Sequence, residues 1–289
     1  MNVSLTGTLG SGKSSVCKIL EKHGYSIISN GVLFRQIAQE QGISVVELNK
    51  LAETDKSIDK MLDERSTQLG KEQDNTIFDS RMSWHFIPDS FKVFLMTNMD
   101  EAANRVFHDN RVSEKYHSVE EAKKDLLRRQ LLEKERFSTL YGVDYLNLNN
   151  YDLVIETTSV STEQVAQTIL DAIKKYQTGR KCVFLNPTSL YPTQSINEIS
   201  TDVLGNYATE KTDKYPSVDV VIIGNRFCVL NRYERVLACI KNKDNFVKAN
   251  IVSNDTITAP TEKQMHEFEE LAGFTYKAYP DFSERNFLQ

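Results

Sequence analysis

Short apolar runs of β character alternate with longer amphipathic stretches over the first 178 residues. The runs at 3–6, 25–28, 76–79, 93–96 and 153–155 predict strands. Between them, Val45, Val46, Leu48 and Leu51, and then Ile58, Met61 and Leu62, recur at the spacing of helices with one buried face. Strands that alternate with helices in this way predict an α/β domain around a parallel sheet. A further helical pattern over 162–176 runs into Gln177-Thr178-Gly179, which places a boundary there: one domain at 1–178 and a second at 180–289. In the second, apolar runs at 182–185, 218–223, 227–230 and 247–252 predict strand, helix, strand, tight turn, strand, helix, strand, a smaller α+β domain. Gly224-Asn225 stands between two apolar runs as a two-residue hairpin signal. No internal repeat or low-complexity tract interrupts the pattern.

Chemistry enters between the first strand and the first helix, at Gly7-Thr8-Leu9-Gly10-Ser11-Gly12-Lys13-Ser14. This is a phosphate-binding loop in its strand-to-helix setting. Backbone N–H groups turn inward around a nucleotide's phosphates and the next helix presents its positive end to them, so Gly7, Gly10, Ser11, Gly12, Lys13, Ser14 and Ser15 are the candidate nucleotide ligands. In this motif Lys13 reaches the β- and γ-phosphates and Ser14 holds Mg²⁺. Asp79-Ser80-Arg81 ends the third expected strand, where the carboxyl edge of the sheet faces the loop. Asp79 there is placed to orient Mg²⁺ or polarise an acceptor phosphate, and Arg81 to grip that phosphate; a helix-capping Asp beside a surface Arg is the plainer alternative. Arg35, taken alone, reads as a solvated cation. Arg105, Arg111, Arg129 and Arg136 bracket the polar stretch 109–118, as arginines on a mobile lid would, to neutralise charge that develops on a moving phosphoryl group. A solvated, charge-dense helix over 119–137 accounts for Arg128, Arg129, Lys134 and Arg136 equally well.

Composition narrows the classes. With 35 Lys and Arg against 40 Asp and Glu, a formal net charge of −5 and no basic block, the 289-residue chain is not built for general affinity to nucleic acid or anionic lipid. Its longest apolar runs, such as Val220-Val221-Ile222-Ile223, are too short to span a membrane, and no signal-peptide pattern opens it. Cys17, Cys182, Cys228 and Cys239 lie far apart without paired spacing, and the five histidines show no metal-ligand spacing. A reducing cytoplasm is therefore expected. Trp84 reads as a packing residue.

The phosphate loop, Ile27-Ile28-Ser29-Asn30-Gly31 with Phe34-Arg35, the 59–65 helix, Ser80-Arg81, and Tyr141-Gly142-Val143-Asp144 followed by Tyr151-Asp152-Leu153-Val154-Ile155 resemble one family, the archaeal-type cytidylate kinases among the nucleoside monophosphate kinases. The likeness covers residues 1–175. It implies a parallel five-stranded sheet with the phosphate-loop strand central, flanking helices and a mobile lid. It also implies Mg²⁺-ATP-dependent transfer to CMP or dCMP: Lys13 and Ser14 on ATP and Mg²⁺, Arg35 and Arg81 on the acceptor phosphate, and Arg111, Arg129 and Arg136 in the lid. Ser29, within the matching stretch, is a further candidate for the acceptor, and Asp79 remains the candidate beside the metal from its own place at the strand end. Ser80 departs from a common Gly, Met82 from a second acid in the bacterial branch, and Gln130 from an acid after Arg129. Two alternatives stand beside this: a kinase for another small acceptor, such as a different nucleotide or dephospho-coenzyme A, and a nucleotide sensor without turnover. Residues 180–255 weakly resemble the ParB-like, sulfiredoxin-like domain, whose anion-binding turn opens a helix. Only Arg235-Val236-Leu237-Ala238 matches well, and Arg232, Tyr233 and Glu234 replace the turn's Gly and polar residues. A degenerate, regulatory or dimerising module is expected, with a homodimer formed through it and Cys239 as a buried small hydrophobe.

Overall fold

The structure, a computed structural model, describes residues 1–55, 57–109, 116–176, 181–195, 216–254, 256–283 and 287–288. It divides into two compact units. The first comprises Met1–Tyr145, Asn150–Leu153 and Ser161–Arg180, and the second Leu146–Asn149, Val154–Val160 and Lys181–Gln289. Two short segments that precede residue 179 in the chain, 146–149 and 154–160, group with the second unit. Hydrogen bonds explain the regrouping: Asn186 N–H donates to the Glu156 carboxylate at 3.3 Å, and Lys181 Nζ donates to the Asn149 carbonyl at 2.5 Å.

In the first unit, β1 (Val3–Gly7), β2 (Ser26–Ser29), β3 (Thr76–Asp79) and β4 (Phe91–Met96) form a parallel sheet in the order β2-β3-β1-β4. The entry to β5 (Leu153–Glu156) lies beyond β4, where the Asp152 amide donates to the Lys92 carbonyl at 2.9 Å and its carboxylate accepts the Lys92 amide at 2.9 Å. β1 is buried on both faces, as a central strand must be. Its polar residues are satisfied inside: Ser4 Oγ shares a 2.6 Å hydrogen bond with Ser90 Oγ, and Thr6 Oγ1 donates to the Ser80 carbonyl at 3.0 Å.

The helices of this unit are α1 (Lys13–Lys22), α2 (Asn30–Glu40), α3 (Val45–Thr54), α4 (Ser57–Glu72), α5 (Ser83–Phe86), α6 (Met99–His108), α7 (Val119–Tyr141) and α8 (Thr162–Lys174). Ser29, Ser44, Asn98, Ser118 and Ser161 cap α2, α3, α6, α7 and α8 through their side chains, satisfying amides that a helix start leaves open. α3 departs from its expected apolar face. Leu48 is buried in the cluster with Ile37, Ala38 and Ile58, whereas Val45, Val46 and Leu51 are exposed. None of the described helices is long and apolar enough to cross a membrane.

The second unit holds a mixed sheet of β6 (Cys182–Leu185), β7 (Leu190–Pro192), β8 (Val218–Ile223), β9 (Arg226–Val229) and β10 (Val247–Ile251). β10 runs antiparallel to β6 and parallel to β8; β9 runs antiparallel to β8 and parallel to β7. Gly224 and Asn225 have φ of 53° and 60°, the two left-handed residues that a type I′ hairpin turn requires. α9 (Tyr233–Lys241) and α10 (Glu262–Ala272) complete the described helices. The helix expected between residues 185 and 218 falls largely outside the described residues. β7 replaces its first part, a three-residue strand too short to leave a periodic signal.

Candidate functional site

The phosphate loop is shaped by close approach. A Cβ at Gly7 would stand 2.2 Å from the Leu95 carbonyl oxygen of β4, so only glycine lets β1 lie this near β4 where the loop departs. Gly12 starts α1 with φ 84° and no side-chain cap, and a Cβ there would meet nothing within 4 Å. The space in front of the helix start is open, unlike the starts of α2, α3, α6, α7 and α8. Ser14 and Ser15 are exposed there, while Ser11 is buried with its hydroxyl on the Thr8 carbonyl at 2.8 Å. Positively polarised amides, an ammonium and exposed hydroxyls in one place make a seat for a polyphosphate.

Sheet register brings the other candidates to the same edge. Asp79 pairs with Leu5 of β1 on one side and with Ser29 of β2 on the other. Burial, and after it the Arg81 charge, push the Lys13 ammonium down to about 8, while Asp79 and Glu133 act to hold it up. Lys13, Asp79, Arg81 and Glu133 are therefore one electrostatic group. Ser29 is partly committed, since its hydroxyl accepts the Val32 amide at 3.3 Å as the cap of α2. Arg35 is exposed on α2, on the turn that follows this cap.

The arginines of the expected lid are dispersed. Arg111 lies outside the described residues. Arg129 stands 4.0 Å from Asp125 of its own helix, and Arg136 reaches across to α4, donating to both Asp59 oxygens at 2.6 and 2.7 Å. Tyr141 extends that clasp by donating to Asp63 at 2.8 Å, a carboxyl that burial, chiefly, pushes up to about 6. Arg105 of α6 donates from Nη1 to the Gly10 carbonyl at 3.1 Å and from Nε to Glu101 at 3.0 Å, bracing the phosphate loop.

Two residues escaped the sequence reading. Glu133 of α7 accepts from Arg81 Nε at 2.9 Å, and the Tyr145 hydroxyl donates to the same oxygen at 3.3 Å. In the sequence Glu133 has Arg129, Lys134 and Arg136 for local partners, so nothing points to Arg81. Helical spacing is the one available signal: Leu126, Gln130 and Glu133 share a face, and the first two are buried. Gln130 Oε1 is buried there without a hydrogen-bond partner among the described residues. Trp84 packs as expected, against Tyr151, and its Nε1 donates to the Arg81 carbonyl at 3.1 Å.

In the second unit, α9 begins at Arg232 with φ 53° and no side-chain cap. The Arg232 guanidinium turns to the Ser217 carbonyl, Asp219 lies 4.0 Å away, and Tyr233 and Arg235 are buried. Burial pushes the Cys239 thiol up to about 12, in keeping with a packing role. No cluster of three or more His, Cys, Asp or Glu suited to a metal occurs among the described residues.

Residues 2–159 match the model of the cytidylate kinase-like family. A cytidylate kinase from Sulfolobus acidocaldarius is 38% identical over 179 residues, 61% of this chain and 95% of that protein. One from Methanobrevibacter smithii is 34% identical over 60% of this chain and 99% of its own length. A shikimate kinase from Bacteroides thetaiotaomicron superposes with a TM-score of 0.45 at 14% identity, over 60% of this chain and 98% of that one, too distant a likeness to carry an argument.

Proposed function

The chain belongs to the cytidylate kinase-like family and is a nucleoside monophosphate kinase; we propose that its donor is Mg²⁺-ATP and its acceptor CMP or dCMP. The observation that carries the reading is the open, uncapped start of α1 beside the group Lys13, Asp79 and Arg81. An acceptor phosphate oxygen attacks the γ-phosphorus, forming a new P–O bond, while the bond to the β,γ-bridging oxygen breaks and its electrons leave with ADP. Charge spreads over the equatorial oxygens of the moving group, so the protein's task is positioning and neutralisation. Loop amides and Lys13 hold the donor phosphates. Arg81 holds the acceptor phosphate, with Arg35 and Ser29 at the neighbouring strand end. In this reading Arg111 and Arg129 belong to a lid that closes over the transferred group and excludes water, and Arg136 joins them only by leaving Asp59.

The residues present fit Mg²⁺. An exposed Ser14 hydroxyl and the Asp79 carboxylate, in the absence of any caging acid cluster among the described residues, are what a phosphate-borne ion needs. Ser14 and Asp79 would hold the ion, which would supply positive charge against that of the donor phosphates. With four free cysteines, a cytoplasmic setting belongs to the same reading.

The test is ADP release with ATP and Mg²⁺ across CMP, dCMP, UMP, AMP, GMP and dephospho-coenzyme A, with Lys13→Ala protein as blank. Clear preference for CMP or dCMP is expected. Turnover confined to another acceptor would sink the cytidylate assignment, and ATP binding without any turnover would favour a sensor.

A further inference from the structure

Arg81 is held at two points, and the carboxylate that holds one of them is itself braced. Its Nε donates to Glu133 Oε2 at 2.9 Å, in a pair whose side chains are only 16% and 29% exposed. Tyr145 donates its hydroxyl to that same oxygen at 3.3 Å, which steadies the carboxylate. Trp84 Nε1 binds the Arg81 carbonyl at 3.1 Å, which steadies the backbone. A guanidinium carries five N–H donors in a planar fork. Glu133 accepts the hydrogen bond from Nε–H, and neither Nη donates to an acceptor among the described residues. That leaves the doubly forked end, the edge that matches a phosphate.

Electrostatics point the same way. Arg81 and Lys13 repel each other, and Glu133 acts on Lys13 in the opposite sense. Two cations meant to converge on phosphates need a fixed counter-charge behind one of them, placed so that it does not compete for the phosphate. Glu133 meets that need from α7, and so ties the placement of the Arg81 guanidinium to that of α7.

We propose that Glu133 is the positioning residue for the acceptor phosphate: through Nε it holds Arg81 with the Nη edge free for the phosphate. This rests on the kinase reading above. Loss of an acceptor for a partly buried, charge-assisted hydrogen bond sets the scale of the effect.

The experiment compares wild type, Glu133→Ala, Glu133→Gln, Tyr145→Phe, Arg81→Ala and the double variant Arg81→Ala/Glu133→Ala in steady-state kinetics. Glu133→Ala is expected to raise the acceptor KM about tenfold or more with the ATP KM changed less than about twofold. Glu133→Gln, which keeps an oxygen for Nε, recovers most of that loss, and Tyr145→Phe gives a smaller shift of the same kind. Because Glu133 acts through Arg81, adding Glu133→Ala to Arg81→Ala costs little more. Should Glu133→Ala fail to fold, the Gln and Phe variants read the same split at lower amplitude. An equal rise in both KM values, or penalties that multiply in the double variant, overturns the proposal. KM is taken with whichever monophosphate the wild type turns over. If that is neither CMP nor dCMP, the acceptor assignment falls while the Glu133 comparison still reads; no turnover of any monophosphate overturns both.

Discussion

Helices α1 and α9 open alike and hold different contents. Each starts, in its own unit, at a residue with left-handed φ, 84° at Gly12 and 53° at Arg232, and neither has a side-chain cap. Each carries a buried cysteine four residues after a cation, Cys17 after Lys13 and Cys239 after Arg235, with both thiols pushed up to about 12 by burial. At α1, though, the approach is clear: nothing lies within 4 Å of where a Gly12 Cβ would be. At α9 the Arg232 side chain folds back onto the Ser217 carbonyl, and the Tyr233 hydroxyl is bound to the Val229 carbonyl at 2.6 Å. Aligned amides exist at both starts. Only where side chains stay out of the way does such a start become a seat for an anion.

Lys13→Ala breaks the comparison most directly. It should lower kcat/KM by about a thousandfold, since a phosphate clamp that acts in the transition state is lost. Coupled ADP release measures it, and a melting temperature within a few degrees of wild type would show that the loss is chemical. Ser14→Ala comes next, with activity down about tenfold to a hundredfold and a higher Mg²⁺ requirement, read from a Mg²⁺ titration at fixed ATP.

A matched pair then sharpens it. Gly12→Ala puts a Cβ at φ 84°, at a cost of about 1–2 kcal/mol, and narrows the phosphate seat, so both the melting temperature and ATP affinity should fall. Arg232→Gly relieves the same kind of strain while losing the Ser217 contact. Its stability should change by less than about 1 kcal/mol and its kinase turnover not at all. Equal losses of turnover in the two variants would mean that both starts serve catalysis.

The smallest effect concerns the two thiols. Their folded pKa values lie above the unfolded value, so between about pH 9 and 12 the unfolded chain releases protons that the folded chain keeps, and stability falls as pH rises through that window. Iodoacetamide at pH 8 should label the half-buried Cys182 and spare Cys17 and Cys239 until denaturant is added. Mass mapping of early labelling at Cys239 would contradict its packing role.

What was legible in the chain was whatever its neighbours in sequence suffice to determine. A contiguous run from Gly7 to Ser14 states a strand-to-helix turn, its open amides and its lysine, and Gly224-Asn225 states a hairpin, because backbone dihedrals are set locally. That Asp79 ends a strand, with Arg81 two residues beyond it, was legible from the apolar run before it. Tertiary structure alone decided the rest. Val45, Val46 and Leu51 have helical spacing, yet only Leu48 found a surface to pack against. Segment 154–160 reads as part of the first domain by position and joins the second through hydrogen bonds to residues later in the chain. Arg136 is spoken for by Asp59, 77 residues away, and Arg81 by Glu133, 52 residues away. A charged side chain can satisfy itself with any opposite charge within reach, so its spacing in sequence leaves the partner open. Packing chooses one by fixing which helix faces which.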